Sequence, residues 1–171
     1  MRIFIQCDAQ AEREHQQKLE ETGFWGARAA GCVFLAKSTG RILLSHRSKH
    51  VQEPNTWGTW GGAIDGNELP YTALLREVKE EAGYSGEIKL IHVWTFEHSS
   101  GFRYFNFLAI VPEEFEPELN WETQGYEWFE FGKWPQNLHP GLQSLLKQSK
   151  FTSLVAKHSR RITSNFNLSP Q

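Results

Sequence analysis

Residues 62–84 read GAIDGNELPYTALLREVKEEAGY, a glycine-rich loop that runs straight into a helix. Pro70 suits the first helical turn, where its missing N–H is not needed, and Gly83 suits a left-handed C-terminal stop. Between them Tyr71, Leu74, Leu75, Val78 and Ala82 recur at helical spacing and define one apolar face. At about 100° per residue, Glu77, Glu80 and Glu81 share a single arc beside that face, so they are expected to border the buried stripe rather than enter the core. Like charges this close repel, at roughly 0.2–0.5 kcal/mol per pair. The arc is therefore either a solvated face or a seat for something positive.

The rest of the chain supplies strands around this helix. AGCVFLAK and RILLSHR are short strand-like runs joined by the turn STG. Residues 51–68 are rich in Gly, Pro and Asn and read as loop with a short strand at most. EIKLIHVWTFEH and FRYFNFLAIV predict a hairpin across SSG, EWFEF a further strand, and residues 137–149 a closing helix. Strands and helices alternate over short loops, which makes mixed α/β the expected class. Residues 1–28 read as an exposed appendage and a candidate dimerisation arm, and the polar stretch 151–171, with Arg160 and Arg161, as a loosely ordered tail.

Composition narrows what such a fold can do. With 171 residues there is room for one domain with a real core. The net charge of −2 gives no field that would draw the molecule to nucleic acid or to an anionic membrane. No apolar run approaches the ~18–20 residues of a membrane span, and the N-terminus turns polar too early for a secretory signal. Two cysteines, Cys7 and Cys32, make no disulfide framework and are expected as reduced thiols. The expected location is cytoplasmic. Aromatic residues reach 13% with seven Trp, mostly for packing. Trp25, Trp57, Trp60, Phe102, Tyr104 and Trp128 are the ones from which a partner for a planar ligand could be drawn.

Clustered carboxylates without Cys/His ligand spacing suit hard cations, Mg²⁺ or Mn²⁺, and disfavour zinc. His46 and His50 are four apart, but the segment between them is not convincingly helical. Because Mg²⁺ keeps few protein ligands and is completed by water and substrate phosphates, the cluster points to phosphate-ester or pyrophosphate substrates.

The segment resembles the Nudix box: Gly, five residues, Glu, seven residues, then Arg-Glu-U-x-Glu-Glu-x-Gly-U, where U is a bulky apolar residue. Gly62, Glu68, Arg76, Glu77, Val78, Glu80, Glu81 and Gly83 match at the required spacing, and Tyr84 replaces the usual aliphatic residue at the end. The resemblance extends over about residues 29–150. Trp57 with Gly61-Gly62 is similar to the family's Trp…Pro-Gly-Gly, although Trp60 stands where that Pro is common. The stretch 126–146 is similar to the family's late strand, loop and final helix.

That resemblance implies a Nudix-type α/β/α sandwich with a mixed sheet over residues 29–150, and a metal-dependent pyrophosphohydrolase. It implies Glu77, Glu80 and Glu81 as metal ligands, and Glu80, Glu81 and Glu127 as candidates for the general base. It further implies Glu68 and Arg76 as a salt bridge between loop and helix, and Gly62 and Gly83 as geometric positions. Arg47, Trp57 and Trp60 are the candidate substrate contacts. The expected substrate is a small nucleotide, a nucleoside diphosphate joined to another moiety; sugar nucleotides, ADP-ribose, dinucleoside polyphosphates, oxidised dNTPs and capped RNA all stay open. Two other readings stand beside it. A non-catalytic nucleotide sensor would need no metal cluster. An isopentenyl-diphosphate isomerase would need a catalytic Cys in its pocket loop, and no Cys follows Cys32.

Overall fold

The run AGCVFLAK becomes the central strand of a mixed sheet in the computed structural model, which describes residues 28–159. This strand, β1 (Arg28–Ala36), is buried along all but its first residue, as expected of a strand covered on both faces. On one side it runs parallel to β6 (Arg103–Val111) through the full register from Arg28↔Arg103 to Ala36↔Val111. On the other side two strands share it. β2 (Ile42–Arg47) pairs with its C-terminal part at Phe34↔Leu43, and β4 (Trp60–Ala63) with its N-terminal part, from Ala29↔Ala63 to Cys32↔Trp60.

The outer strands follow from the hairpins. β5 (Lys89–Glu97) turns back on β6 with a register shift between His92 and Trp94. β3 (Trp57–Gly58) and β7 (Thr123–Phe129) both pair with β2. Three helices complete the described residues: α1 (Pro70–Ala82), α2 (Pro140–Leu146) and α3 (Ser149–His158).

Strand alternation sorts side chains onto two faces. Phe34, Leu43, Trp60, Phe107 and Ala109 pack with Leu74, Val78 and Ala82 of α1. Val33, Leu35, Leu44, Leu108 and Ile110 pack with Leu142 and Leu145 of α2 and with Phe151 and Val155 of α3. The result is the expected α/β/α sandwich.

Helix α1 starts at Pro70 and stops at Gly83, whose φ of 64° is left-handed and whose N–H donates to the Lys79 carbonyl at 3.0 Å. A Cβ on Gly83 would also press on Glu118, 2.8 Å from its Cβ. The helix is rotated from the expected face. Tyr71 and Leu75 are 48% and 46% exposed, whereas Glu77 and Glu81 are only 6% and 4% exposed and join Ala73, Leu74, Val78 and Ala82 against the sheet. The two carboxylates are inside, not at the border.

Trp60 also departs from expectation. It is fully buried in the α1 face of the core, and its indole Nε1 donates to the Leu43 carbonyl at 3.3 Å, so it is a packing residue and not a substrate contact. The described part of the expected tail is helical: α3 seats Phe151 and Val155 in the core. The expectations for residues 1–27 (the appendage and dimerisation arm, Cys7, Trp25) and for Arg160 and Arg161 lie outside the described residues.

Candidate active site

Arg76 is the fork that joins loop to helix. Its Nε and Nη2 donate to the two carboxylate oxygens of Glu68 at 3.2 and 3.0 Å, and Nη2 also donates to the Ala63 carbonyl at 3.0 Å. A planar guanidinium pre-set for bidentate pairing makes such a brace directional. The hydrogen bonds from Arg76 hold the Glu68 carboxyl below its ordinary range. The remaining nitrogen, Nη1, donates to Glu77 Oε1 at 2.7 Å and lies 3.6 Å from Glu80 Oε2.

Behind Arg76, the β4 backbone passes over the acidic helix. At Gly62 a Cβ would fall 2.7 Å from the Glu77 carboxylate. The N–H of Gly61 donates to Glu81 Oε2 at 3.0 Å. Burial drives the Glu77 carboxyl up to about 7 against the opposing pull of Arg76. Burial, then the charges of Glu122 and Glu77, push Glu81 well above the carboxylate range. Glu122, just before β7, is raised mainly by burial and hydrogen-bonds Glu81, so the two carboxyls resist ionising together. Glu80 stays in solvent, its side chain 58% exposed.

On the opposite face of the sheet lies a cavity of about 390 Å³ whose lining includes Gly61, Gly62 and Glu122. Trp94, Phe96, Phe102 and Tyr104 form its aromatic wall, with Leu142 of α2 across from them. Arg47 reaches its edge while Nε and Nη2 donate to the Gln52 carbonyl at 2.9 and 2.7 Å. His139 caps α2, its Nδ1 accepting from the Gly141 N–H at 2.9 Å. Burial, reinforced by Arg47, lowers its imidazole to about 4 and keeps it neutral.

As placed, no three His, Cys, Asp or Glu side chains among the described residues close round one point as metal ligands. The donor chemistry nonetheless fits a hard divalent cation: oxygen-only carboxylates, three of them raised by burial and mutual repulsion, around a glycine backbone that leaves them room. The NUDIX domain family profile matches residues 26–148. The chain belongs to the Nudix family.

Among curated Nudix relatives, a Mycobacterium tuberculosis protein provisionally named 8-oxo-dGTP diphosphatase 3 is 41% identical over 68 residues, covering 37% of this chain and 31% of the relative. Diphosphoinositol polyphosphate phosphohydrolase 3-alpha of Mus musculus is 32% identical over 108 residues, covering 60% and 62%. The chain thus spans less than two thirds of either relative. Among solved structures, a binary complex of the Caenorhabditis elegans Ap4A hydrolase superposes with a TM-score of 0.62 at 26% identity, over 75% of this chain and 98% of that one.

The Nudix box is thus assembled in space, with Gly62, Glu68, Arg76, Glu77, Glu80 and Glu81 around one loop–helix junction. Arg47 is at the cavity. Trp57 is not: it stacks on His46 at 4.5 Å and meets Phe129 edge-on at 5.2 Å, within the packing of the α2 face. Glu127 is exposed and sits between Tyr126 and Trp128, which point to the α1 face, so strand alternation turns it away from Glu77 and Glu81. Of the aromatic candidates, Phe102 and Tyr104 line the cavity, whereas Trp128 packs on Phe115 and donates to its carbonyl.

Sequence reasoning missed Glu122, Trp94, Phe96, Asn106 and His139. A signal existed for the aromatic pair. Trp94 and Phe96 are two apart on β5, facing Asn106 and Tyr104 across the hairpin.

Proposed function

We propose that this chain hydrolyses the pyrophosphate linkage of a nucleoside diphosphate joined to a second moiety. The observation that carries this reading is the pair of buried, mutually repelling carboxylates Glu77 and Glu81, with the half-buried Glu122, which repels both and lines a nucleotide-sized aromatic cavity. Glu77, Glu80 and Glu81 would hold Mg²⁺ or Mn²⁺. When bound, the cation supplies neutralising charge to these carboxylates and to the pyrophosphate oxygens and acidifies a water.

The protein's own residues do the rest. Arg76 keeps Glu77 and Glu68 in place, and the Gly61 N–H holds Glu81. Water attacks one phosphorus in line, and the bridging P–O bond breaks so that its oxygen leaves with the second phosphate. A carboxylate of the Glu81–Glu122 pair, ionised once a cation offsets their charge, would take the water proton. Arg47, at the cavity edge, offers its remaining donors to a phosphate. A sensor module would not need these buried charges. A buried, free Cys32 agrees with action in the reducing cytoplasm.

The test is a substrate panel of sugar nucleotides, ADP-ribose, dinucleoside polyphosphates, oxidised dNTPs, capped RNA and diphosphoinositol polyphosphates, with Mg²⁺ or Mn²⁺ and products resolved. The reading predicts cation-dependent release of a nucleotide from at least one. No turnover of any compound with either cation would overturn it.

A further inference from the structure

Asn106 lies in the middle of β6, and every residue after it in that strand is apolar and buried. The amide is itself 3% exposed. Among the described residues it makes one hydrogen bond, from Nδ2 to the Tyr104 carbonyl two residues back, at 3.4 Å. That distance is at the limit of useful bonding. An amide with one long hydrogen bond keeps donor and acceptor capacity for a further partner. What it faces is the cavity, which it lines beside its cross-strand partner Trp94, with Phe96 and Phe102 completing the wall.

A side-chain amide presents one donor direction and one acceptor in a plane. This is the complement of a ring edge carrying a donor beside an acceptor, as on adenine or cytosine. The volume, about 390 Å³, lies in the range of small-molecule sites, and aromatic side chains hold planar rings of any identity. A polyanion such as a diphosphoinositol polyphosphate would demand a cluster of cations; of the residues lining this cavity, Arg47 is the one Lys or Arg.

We infer that Asn106 is the base-reading residue of this protein: its amide pairs with the donor–acceptor edge of a nucleobase held among Trp94, Phe96 and Phe102, which selects nucleotides over inositol pyrophosphates. This rests on the pyrophosphohydrolase reading for its turnover assay, and direct binding tests it separately.

The experiment measures kcat/KM for diphosphate-linked nucleosides that differ only in the base, and for a diphosphoinositol polyphosphate, on wild type, Asn106→Leu and Asn106→Asp. Calorimetry follows binding of the four nucleoside monophosphates. Near-ultraviolet circular dichroism establishes that each variant is folded, and Asn106→Asp, isosteric with the native residue, covers misfolding of the leucine variant. Wild type should prefer one base by about tenfold or more. Asn106→Leu should compress that spread to within about threefold. Asn106→Asp, with two acceptors, should shift preference toward guanine, whose edge offers two adjacent donors. A base preference unchanged in both variants, no base preference in wild type, or preferential turnover of the inositol compound would overturn the inference. If no compound is hydrolysed but monophosphate binding loses its base preference on Asn106→Leu, the pyrophosphohydrolase reading fails and the inference stands.

Discussion

Gly62 and Glu77 are packed so closely that a Cβ on the glycine would stand 2.7 Å from the carboxylate carbon and from Oε2. The glutamate has little room to retreat, because Arg76 Nη1 holds its Oε1 at 2.7 Å. Gly62→Ala should therefore displace a proposed metal ligand and overpack the junction, lowering stability by about 1–3 kcal/mol. Urea denaturation would measure that loss, and steady-state assays should show at least about a tenfold fall in kcat.

The carboxylates differ in what they face, and so should their variants. Glu80→Gln and Glu81→Gln should each lower kcat by at least about 10²-fold, the scale of removing an acid–base group. Glu122→Gln removes the carboxyl that hydrogen-bonds Glu81 and should also reduce kcat by an order of magnitude or more, whereas Glu127→Gln, turned away from the acidic helix, should leave it within about twofold of wild type. Rate measurements on the four variants decide between Glu122 and Glu127.

Trp60→Phe should act on stability and not on substrate binding. The indole is fully buried and satisfies the Leu43 carbonyl, so its truncation leaves a void and an unmet acceptor. A loss of about 1–3 kcal/mol is expected, with KM within about twofold of wild type. A large rise in KM at unchanged stability would return Trp60 to the substrate site.

His139 gives the fold a pH signature. Its folded pKa of about 4 lies below the unfolded value of about 6.5. The neutral imidazole is favoured by folding, so its contribution is fully present above pH 6.5 and is lost as pH falls from 6.5 towards 4. Glu77, raised to about 7, acts in the opposite direction: its ionised form is disfavoured by folding, and protonation below 7 relieves that cost. His139→Asn keeps an acceptor for the Gly141 N–H and removes only the histidine titration. Relative to this variant, wild type should lose on the order of 2 kcal/mol between pH 7 and 4, read from urea midpoints at each pH.

The fold was largely legible because its signals are local. Pro70 and Gly83 bracket α1 at the observed ends, and STG and SSG lie at the turns of the two hairpins. The rotation of α1 was not legible. Leu75 and Ala73 are alternatives for the inner face, and the choice falls to Ala73 because the sheet comes close where β4 is glycine. The same approach buries Glu77 and Glu81, a tertiary fact that helical spacing does not carry. Glu122 precedes β7 and Glu127 lies in its second half, and the phase of the strand, fixed by Tyr126 and Trp128 packing toward α1, turns Glu127 away from the acidic helix. The motif position of Trp60 suggests a substrate contact, while its pairing with Cys32 of β1 decides that it points inward. Helix α3 carries just two core residues, Phe151 and Val155, too few for a visible stripe in a polar segment.

The central claim is that Glu77, Glu80 and Glu81 form a cation seat whose charges are costly without the ion. Isothermal titration of Mn²⁺ at pH 7, repeated in buffers of different ionisation enthalpy, tests it most directly. Because Glu77 and Glu81 carry raised pKa values, binding should displace protons, so the apparent heat should vary with the buffer, and Glu81→Gln should weaken uptake at least about tenfold. No measurable uptake by wild type, or uptake with no proton release that Glu77→Gln and Glu81→Gln leave unchanged, would contradict the account.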